Sequence, residues 1–191
     1  MLAGALIFLT ETAFGLFIVS LLLRFYLQCV RASYRNPLSQ FLNAITDFAV
    51  LPARRVVPGL WGLDLATLVL AWLAQLAEVY VVLQIRGHAL ESTTGIGLAG
   101  LALLSVVLMA KLGLYIVMVA VIIQAMLSWF NPYSPVAPLL NSMTRPFLRI
   151  FQKRIPAIGN VDLSPLFVVI GCQLLLMVPV AYLEVVLTRL I

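Results

Sequence analysis

The sequence has few of the residues from which metal sites and catalytic sites are built. Charged residues make up 10% of the 191 positions, and the chain has one histidine, His88, and two cysteines, Cys29 and Cys172. A zinc site needs three or four closely spaced ligands, and these residues do not have that spacing. The serines have no neighbouring histidine that could activate them, and there is no phosphate-binding glycine loop. We therefore expect neither an enzyme nor a bound metal or cofactor.

Long hydrophobic stretches dominate the rest of the chain. Hydrophobic residues make up 63% of the sequence, and the mean hydropathy is +1.12. A membrane-spanning helix needs about 20 apolar residues. Because the backbone in lipid must satisfy its own hydrogen bonds, such spans are expected to be helices. The sequence thus predicts an all-α membrane protein with four transmembrane helices, at about 2–23, 63–85, 96–127 and 163–187.

Two of these stretches allow alternatives. The first could be a signal peptide, but it lacks a basic start, is longer than the usual apolar region and contains Glu11, so we interpret it as a retained helix. The third is longer than the hydrocarbon core of about 30 Å requires. We expect one helix that tilts, extends into the headgroup layer or begins near Gly100, because a division at Lys111 would leave two pieces too short to span.

An internal repeat organises the whole sequence. Residues 36–76 align with residues 134–174 without a gap at an offset of 98, and an offset of 100 aligns the residues before them. Each copy reads as hydrophobic span, basic connector, hydrophobic span. The sequence therefore predicts two parallel helical-hairpin repeats, 1–90 and 91–191, around a pseudo-two-fold axis along the membrane normal. Matched residues include Pro37 and Pro135, Asn43 and Asn141, Thr46 and Thr144, and Asp64 and Asp162.

Each connector is predicted to contain an amphipathic helix at the cytoplasmic interface, at about 37–51 and about 135–151. In both segments apolar residues recur mostly at spacings of three and four, which is typical of a helix with one apolar face. The segments are too short and too polar to cross the bilayer. Pro52 and Pro146 are expected to break or kink these helices.

Four polar residues are predicted to cap helices. Asn36 and Ser134 each precede a proline, which indicates a capping side chain followed by the first helical turn. Asp64 and Asp162 precede spans 2 and 4, where a carboxylate meets the positive end of a helix. Two interpretations remain open for such repeated residues: turn and cap duty, or a surface that a partner recognises.

Positive charge is concentrated in the two connectors. The net charge is +5, and nine of the twelve Lys and Arg residues lie there. The positive-inside rule puts both connectors in the cytoplasm and both termini on the other side. This distribution favours contact with anionic lipid headgroups over contact with nucleic acid. The basic candidates for interface or partner contact are Arg24, Arg54, Arg55, Arg145, Arg149, Lys153 and Arg154.

Charged residues also lie within the predicted spans, where they usually face a partner or a cavity. At the offset of 100, Glu11 is equivalent to Lys111, and we hypothesise that the two pair across a contact between spans 1 and 3. At the offset of 98, Arg86 is equivalent to Glu184, which suggests a second pair near the outer face. Glu78 has no charged equivalent in the other copy.

Three interpretations of these charges remain open: independent interface charges, structural ion pairs, or a transport or proton-relay path. Gln75 and Gln173 occupy equivalent positions within spans 2 and 4. Hydrogen bonding between helices is the ordinary role of such residues in membranes.

Motif residues recur in both copies. In the first copy they are Arg24, Asn36-Pro37, Leu42-Asn43, Thr46, Arg54-Arg55, Pro58 and Asp64-Leu65. In the second copy they are Ser128-Trp129-Phe130-Asn131-Pro132, Leu140-Asn141, Thr144-Arg145-Pro146, Pro156 and Asp162-Leu163-Ser164-Pro165. This pattern resembles the YggT family of small integral membrane proteins, over nearly the whole chain. The second copy is closer to the family pattern, so a binding surface is expected there, with Trp129 and Asn131 among its residues.

The resemblance implies a protein of the bacterial inner membrane, with periplasmic termini and no enzymatic activity. It implies a role in osmotic or envelope stress tolerance, in cell division or in the assembly of membrane complexes. The first hypothesis is therefore an accessory or scaffold protein whose partners are anionic headgroups and other membrane proteins. The alternative is a small ion or osmolyte channel or transporter that uses the intramembrane Glu and Lys residues. Either is compatible with a homo-oligomer.

Overall fold

Helices form the regular structure of this chain. The computed structural model describes residues 2–32, 36–59, 62–87, 95–131, 134–153 and 162–189. Four continuous helical stretches, Leu2–Cys29, Leu65–Ile85, Gly97–Ser128 and Ser164–Thr188, are long and apolar enough to cross a membrane, which confirms the predicted all-α chain with four spans. The helices are α1 (Leu2–Cys29), α2 (Pro37–Val56), α3 (Leu65–Ile85), α4 (Gly95–Phe130), α5 (Ala137–Gln152), α6 (Ser164–Leu175) and α7 (Ala181–Thr188), with a π-helical turn (Leu176–Val180) between α6 and α7.

The first and third spans are longer than predicted. Helix α1 continues to Cys29, six residues past the predicted end. Helix α4 is a single helix of 36 residues that passes through Lys111 without a break. At 1.5 Å per residue it is about 54 Å long, well over the hydrocarbon thickness of about 30 Å. It must therefore tilt or extend beyond the hydrocarbon core.

The fourth span contains an irregularity that the hydrophobic pattern does not reveal. A π-helical turn separates α6 from α7, and Pro179 lies inside it. A proline ring clashes with the carbonyl of the residue four positions earlier. The wider π turn is a recognised way for a helix to accommodate such a disruption. The span therefore continues through the proline to Thr188.

The connector helices differ from their predicted bounds. Helix α2 ends at Val56 rather than near residue 51, and α5 begins at Ala137 rather than at residue 135. Pro52 and Pro146 lie inside these helices, so neither proline breaks its helix, and the alternative expectation of a kink stays a prediction. Around Pro146 the reason is packing, because Thr144 and Leu148 on either side of it are both buried.

The spans pack in sequence along the chain. Helix α1 packs against α3, α3 against α4, and α4 against α6 and α7. One buried cluster contains Ile18 and Leu21 of α1, Ala71 of α3 and Val50 of α2. Between α3 and α4, the indole nitrogen of Trp72 donates to a backbone carbonyl at 3.1 Å. The division of the chain into hairpin repeats 1–90 and 91–191 stays a prediction.

Both connector helices lie at the same end of the bundle. A second buried cluster brings together Leu27 of α1, Leu42 of α2, Ala120 of α4 and Met143 of α5. In addition, the Tyr26 hydroxyl of α1 donates to the Met143 carbonyl. The end of the bundle that carries α2 and α5 is therefore one continuous packed unit, and most of the candidate site residues lie there.

Candidate functional site

Arg24 joins α1 to α2. Its Nη1 atom donates to Thr46 Oγ1 and to Asp47 Oδ1, each at 2.7 Å. The Arg24 side chain is only 10% exposed, and Thr46 is fully buried. The sequence suggested that this cation faces headgroups or a partner. In the structure its charge is instead compensated within the fold, because α2 brings a carboxylate beside it.

Arg54 and Asp64 join the end of α2 to the start of α3. Arg54 Nε and Nη2 lie 3.0 and 2.5 Å from Asp64 Oδ2. Thr67 donates its hydroxyl to the same oxygen at 2.6 Å, and Asp64 is the N-cap of α3. Burial would raise the pKa of Asp64, but hydrogen bonds from Arg54 and Thr67 and the charge of Arg54 outweigh it. The pKa of this carboxyl therefore lies below its usual value.

The second copy has an uncharged version of this contact. Gln152, the repeat equivalent of Arg54, donates from Nε2 to Asp162 Oδ2 at 2.8 Å. The backbone N–H of Ser164 donates to Asp162 Oδ1 at 2.8 Å. Burial would raise the pKa of Asp162, but the bonds from Gln152 and Ser164 lower it below its usual value. The N-cap of α6 is Leu163, so the predicted cap position was wrong by one residue.

The two connector helices begin differently. Asn36 is the N-cap of α2, and its side-chain oxygen accepts the Ser39 N–H at 2.7 Å. The corresponding prediction for Ser134 is wrong, because the N-cap of α5 is Val136 and makes no side-chain capping bond. The physical reason is a turn in which the Ala137 N–H donates to the Ser134 carbonyl at 3.0 Å. This turn delays the start of the helix.

Two polar cavities lie beside these networks, at the end of the bundle that carries α2 and α5. Cavity 1, of about 490 Å³, opens between the end of α1, α2 and the loop before α3. Cavity 2, of about 540 Å³, opens between the end of α4 and the start of α5. The residues that line cavity 1 include Arg24, Leu27, Gln28, Leu42, Asn43 and Arg54. Those that line cavity 2 include Gln124, Leu127, Ser128, Leu140 and Asn141.

Helix α5 presents a basic face, defined as Arg145, Arg149 and Lys153. These residues follow one another at spacings of four, so they lie along one side of the helix. All three are exposed, and none has an ion pair or side-chain hydrogen bond with a described residue. An open cavity of about 400 Å³ is lined by Arg149 and Lys153 together with Pro146 and Ile150. The α5 basic face thus combines cations that have no partner among the described residues with the apolar side chains of Pro146 and Ile150.

The remaining connector residues add little to this surface. Arg55 is exposed in the last turn of α2, and Asn131 is exposed just after α4. The Trp129 side chain and all of Arg154 and His88 lie outside the residues that the structure describes. Within those residues, no group of three His, Cys, Asp or Glu side chains could hold a metal ion.

The charge pairs within the membrane differ from those predicted. Lys111 Nζ lies 2.7 Å from Glu184 Oε2, which joins α4 to α7. The hypothesis that Lys111 pairs with Glu11 is therefore wrong, and so is the pairing of Glu184 with Arg86. The reason is packing: α4 lies along α7 but meets α1 only over a short stretch. Arg86 is exposed at the end of α3.

The polar residues of spans 2 and 4 also have unexpected partners. Gln75 donates from Nε2 to Glu78 Oε2 at 2.8 Å within the same helix. Gln75 is only 3% exposed, and its Oε1 atom has no partner among the described residues. Glu78 lies on α3 and Glu11 on α1, two helices that pack against each other. Gln173 is exposed, so the expected bonds between helices from the two glutamines are wrong.

Sequence reasoning missed the partners of the capping carboxylates. Thr67 and Gln152 complete the contacts of Asp64 and Asp162. The repeat itself held the signal, because Arg54 and Gln152 are related by the same offset of 98 that relates the two aspartates. The contact of Arg54 with Asp64 thus recurs in the second copy as the contact of Gln152 with Asp162.

Comparison with known proteins gives consistent matches. A family model described as CCB3/YggT matches residues 3–85 and 102–183, one segment in each predicted repeat. An uncharacterized protein of Pseudomonas aeruginosa, PA0392, is 38% identical over 175 residues, which cover 90% of this chain and 86% of that protein. Uncharacterized protein YggT of Escherichia coli K12 is 30% identical over 168 residues, 87% of this chain and 85% of that protein. No solved structure matches the chain.

Proposed function

Because the chain belongs to the CCB3/YggT family, as its motif residues indicated, we propose that it is a non-enzymatic accessory or scaffold protein of the bacterial inner membrane. It acts on other membrane components in osmotic or envelope stress tolerance, in cell division or in the assembly of membrane complexes. The α5 basic face is the observation that carries this proposal, because it is the surface best suited to hold a partner.

The two copies use their positive charge differently. In the first copy, Arg24 and Arg54 are compensated by Asp47 and Asp64. In the second copy, the cations of the α5 basic face point outward and have no acidic partner among the described residues. An exposed positive surface steers and binds negatively charged groups. This difference supports α5, rather than α2, as the helix that engages a partner.

The α2 and α5 helices lie as amphipathic helices at the cytoplasmic surface of the bilayer. The exposed side of α2 carries large apolar residues, of which Phe41 is 60% and Phe48 is 73% exposed. Such side chains are stabilised when they enter the boundary between headgroups and acyl chains. The basic residues of both connectors then lie next to the cytoplasmic leaflet, in accordance with the positive-inside rule.

Cross-linking from within the basic face tests this function. A photoreactive residue replaces Ile150 in native membranes, so that no charge is removed. A cross-linked membrane protein is expected, and the double variant Arg145→Glu, Lys153→Glu should abolish it. Arg55→Glu is the matched control, because Arg55 is the exposed first-copy equivalent of Lys153. Equal yields in all three backgrounds would contradict the proposal.

A small channel is the rival function, and one observation favours it. Glu11 on α1 and Glu78 on α3 place two carboxylates on helices that pack against each other, and intramembrane carboxylates often mark ion or proton paths. Liposome flux under an osmotic step distinguishes the two. The scaffold predicts the same permeability as protein-free liposomes. A higher permeability that Glu78→Gln reduces would favour the channel and reject the scaffold.

A further inference from the structure

Cavity 1 and cavity 2 are built from equivalent positions of the two copies. Both lie where a span ends beside the helix of the following connector. The correspondence uses the offset of 100 in the spans and of 98 in the connector helices. The equivalent lining pairs are Arg24 and Gln124, Leu27 and Leu127, Gln28 and Ser128, Leu42 and Leu140, and Asn43 and Asn141.

The two cavities differ mainly in charge. Arg24 and Arg54 line cavity 1, whereas their equivalents in the second copy are Gln124 and Gln152. No lysine or arginine is among the described residues that line cavity 2. Each of the two cations of cavity 1 is paired with a carboxylate, Arg24 with Asp47 and Arg54 with Asp64, and Asp64 also lines cavity 1. Of the two cavities, cavity 1 is therefore the one whose described lining offers guanidinium donors to an anion.

Arg24 has N–H groups that make no hydrogen bond to a described residue and are available to such an occupant. Both of its hydrogen bonds to described residues leave from Nη1, and a guanidinium has further N–H donors on Nη2 and Nε. The Asn43 carboxamide also lines the cavity and has no hydrogen-bond partner among the described residues. The anion nearest to Arg24, Asp47, is not one of the residues that line the cavity. Nη2 and Nε of Arg24 thus have no hydrogen bond to a described residue, and Arg24 is among the residues that line cavity 1.

The cavity also has the size and surroundings of a ligand site. Its volume of about 490 Å³ falls in the usual range for small-molecule sites, roughly 300–1,000 Å³. Leu27 and Leu42 form part of its wall beside the polar groups. Such a wall suits a phosphate group that carries an apolar or glycerol substituent. Guanidinium groups bind phosphate oxygens in a two-pronged geometry that lysine does not reproduce.

We propose that cavity 1 binds a phosphate group, either from a phospholipid headgroup or from a small soluble phosphate, and that Arg24 is its main ligand. Asn43 offers a further amide donor, whereas Gln28 Nε2 already donates to the Gly62 carbonyl at 3.3 Å and has one hydrogen left to donate. Cavity 2 does not bind phosphate, because its equivalent of Arg24 is a glutamine. This site is independent of the α5 basic face, so either proposal can fail without the other.

Binding to the full-length protein in detergent tests the site. Native mass spectrometry measures retention of added phosphatidylglycerol and phosphatidylethanolamine, and calorimetry measures binding of inorganic phosphate. Arg24→Gln copies cavity 2 and should weaken binding by about tenfold or more, since a hydrogen bond to a charged group is lost. Arg24→Lys should give an intermediate loss. Gln124→Ala, in cavity 2, is the matched control and should change nothing.

Asp47→Asn separates ligand binding from a purely structural role of Arg24. It removes the ion pair but leaves the guanidinium, so binding should stay equal or become tighter. Loss of lipid alone in Arg24→Gln identifies a headgroup site, and loss of inorganic phosphate alone identifies a soluble ligand; both support the proposal. The same affinity in wild type and Arg24→Gln for every probe would overturn it. Equal loss in Asp47→Asn and Arg24→Gln would also overturn it.

Discussion

Lys111 of α4 and Glu184 of α7 form an ion pair, with Nζ 2.7 Å from Oε2. Their repeat equivalents in the first copy are Glu11 and Arg86, so the signs of the charges are exchanged between the copies. Among the described residues, neither Glu11 nor Arg86 forms an ion pair, so the first copy has no equivalent of this contact. The duplication retains the positions of these charges but not their pairing.

Loss of this ion pair should destabilise the fold modestly. Lys111→Gln or Glu184→Gln should lower the free energy of unfolding by about 1 kcal/mol, a typical value for polar contacts between membrane helices. The exchange Lys111→Glu with Glu184→Lys should recover most of the loss. Thermal unfolding in detergent measures the effect, with Arg86→Gln as the control. Unfolding of both single variants at the wild-type temperature would show that the ion pair does not contribute to stability.

Acid should weaken the contact between α2 and α3. The pKa of Asp64 lies below its ordinary value of 3.8 in the folded protein. Its carboxylate therefore contributes stability that is complete above about pH 4 and lost as the pH falls through the folded-state pKa. The thermal midpoint of the wild type should fall more between pH 6 and pH 3 than that of Asp64→Asn. Parallel curves for the two proteins would contradict this role of Asp64.

Gln75 and Gln173 occupy equivalent positions in the sequence, but their replacement by alanine should change the free energy of unfolding by different amounts. Gln75 is buried and donates to Glu78, whereas Gln173 is exposed on α6. Gln75→Ala leaves a void and removes the donor to a carboxylate, so a loss of about 1–3 kcal/mol is expected. Gln173→Ala should change the free energy of unfolding by less than about 0.5 kcal/mol. If the two variants lower the free energy of unfolding equally, the claim that Gln75 is buried and Gln173 is exposed is wrong.

Tyr26 should couple the first span to the second connector. Its hydroxyl donates to the Met143 carbonyl, between α1 and α5. Tyr26→Phe keeps the ring and removes the bond, which should cost about 1 kcal/mol. Tyr182→Phe is the matched control, because Tyr182 is 69% exposed. If both variants unfold at the wild-type temperature, this link does not stabilise the bundle.

Local patterns in the sequence were sufficient to predict features that depend on neighbouring residues alone. The four spans follow from hydropathy, and the caps by Asn36 and Asp64 follow from their places before a helix. Ser134 does not act as a cap because the Ala137 N–H, the equivalent of the Ser39 N–H that the Asn36 side chain accepts, donates to the Ser134 carbonyl instead. After Asn36 the Gln40 N–H donates to the Asn36 carbonyl, but the equivalent residue after Ser134 is Pro138, which has no N–H to donate.

Pairing between distant residues could not be predicted in the same way. Repeat symmetry suggested that equivalent charges meet near an axis, but α4 lies along α7 and Lys111 therefore reaches Glu184. Likewise, the sequence shows that Arg24 is basic but not that α2 brings Asp47 beside it. Such contacts depend on helix register and on the angle at which helices cross, which hydropathy and spacing leave open.

The central claim is that α2 and α5 both lie at the cytoplasmic surface, where the α5 basic face meets its partners. A membrane-impermeant maleimide tests it in a chain whose two native cysteines are replaced by alanine. Arg55→Cys and Arg149→Cys should react in inside-out vesicles and not in spheroplasts, whereas Arg189→Cys should show the reverse. Reaction of Arg55→Cys and Arg149→Cys from opposite sides, or of both from outside, would contradict the account.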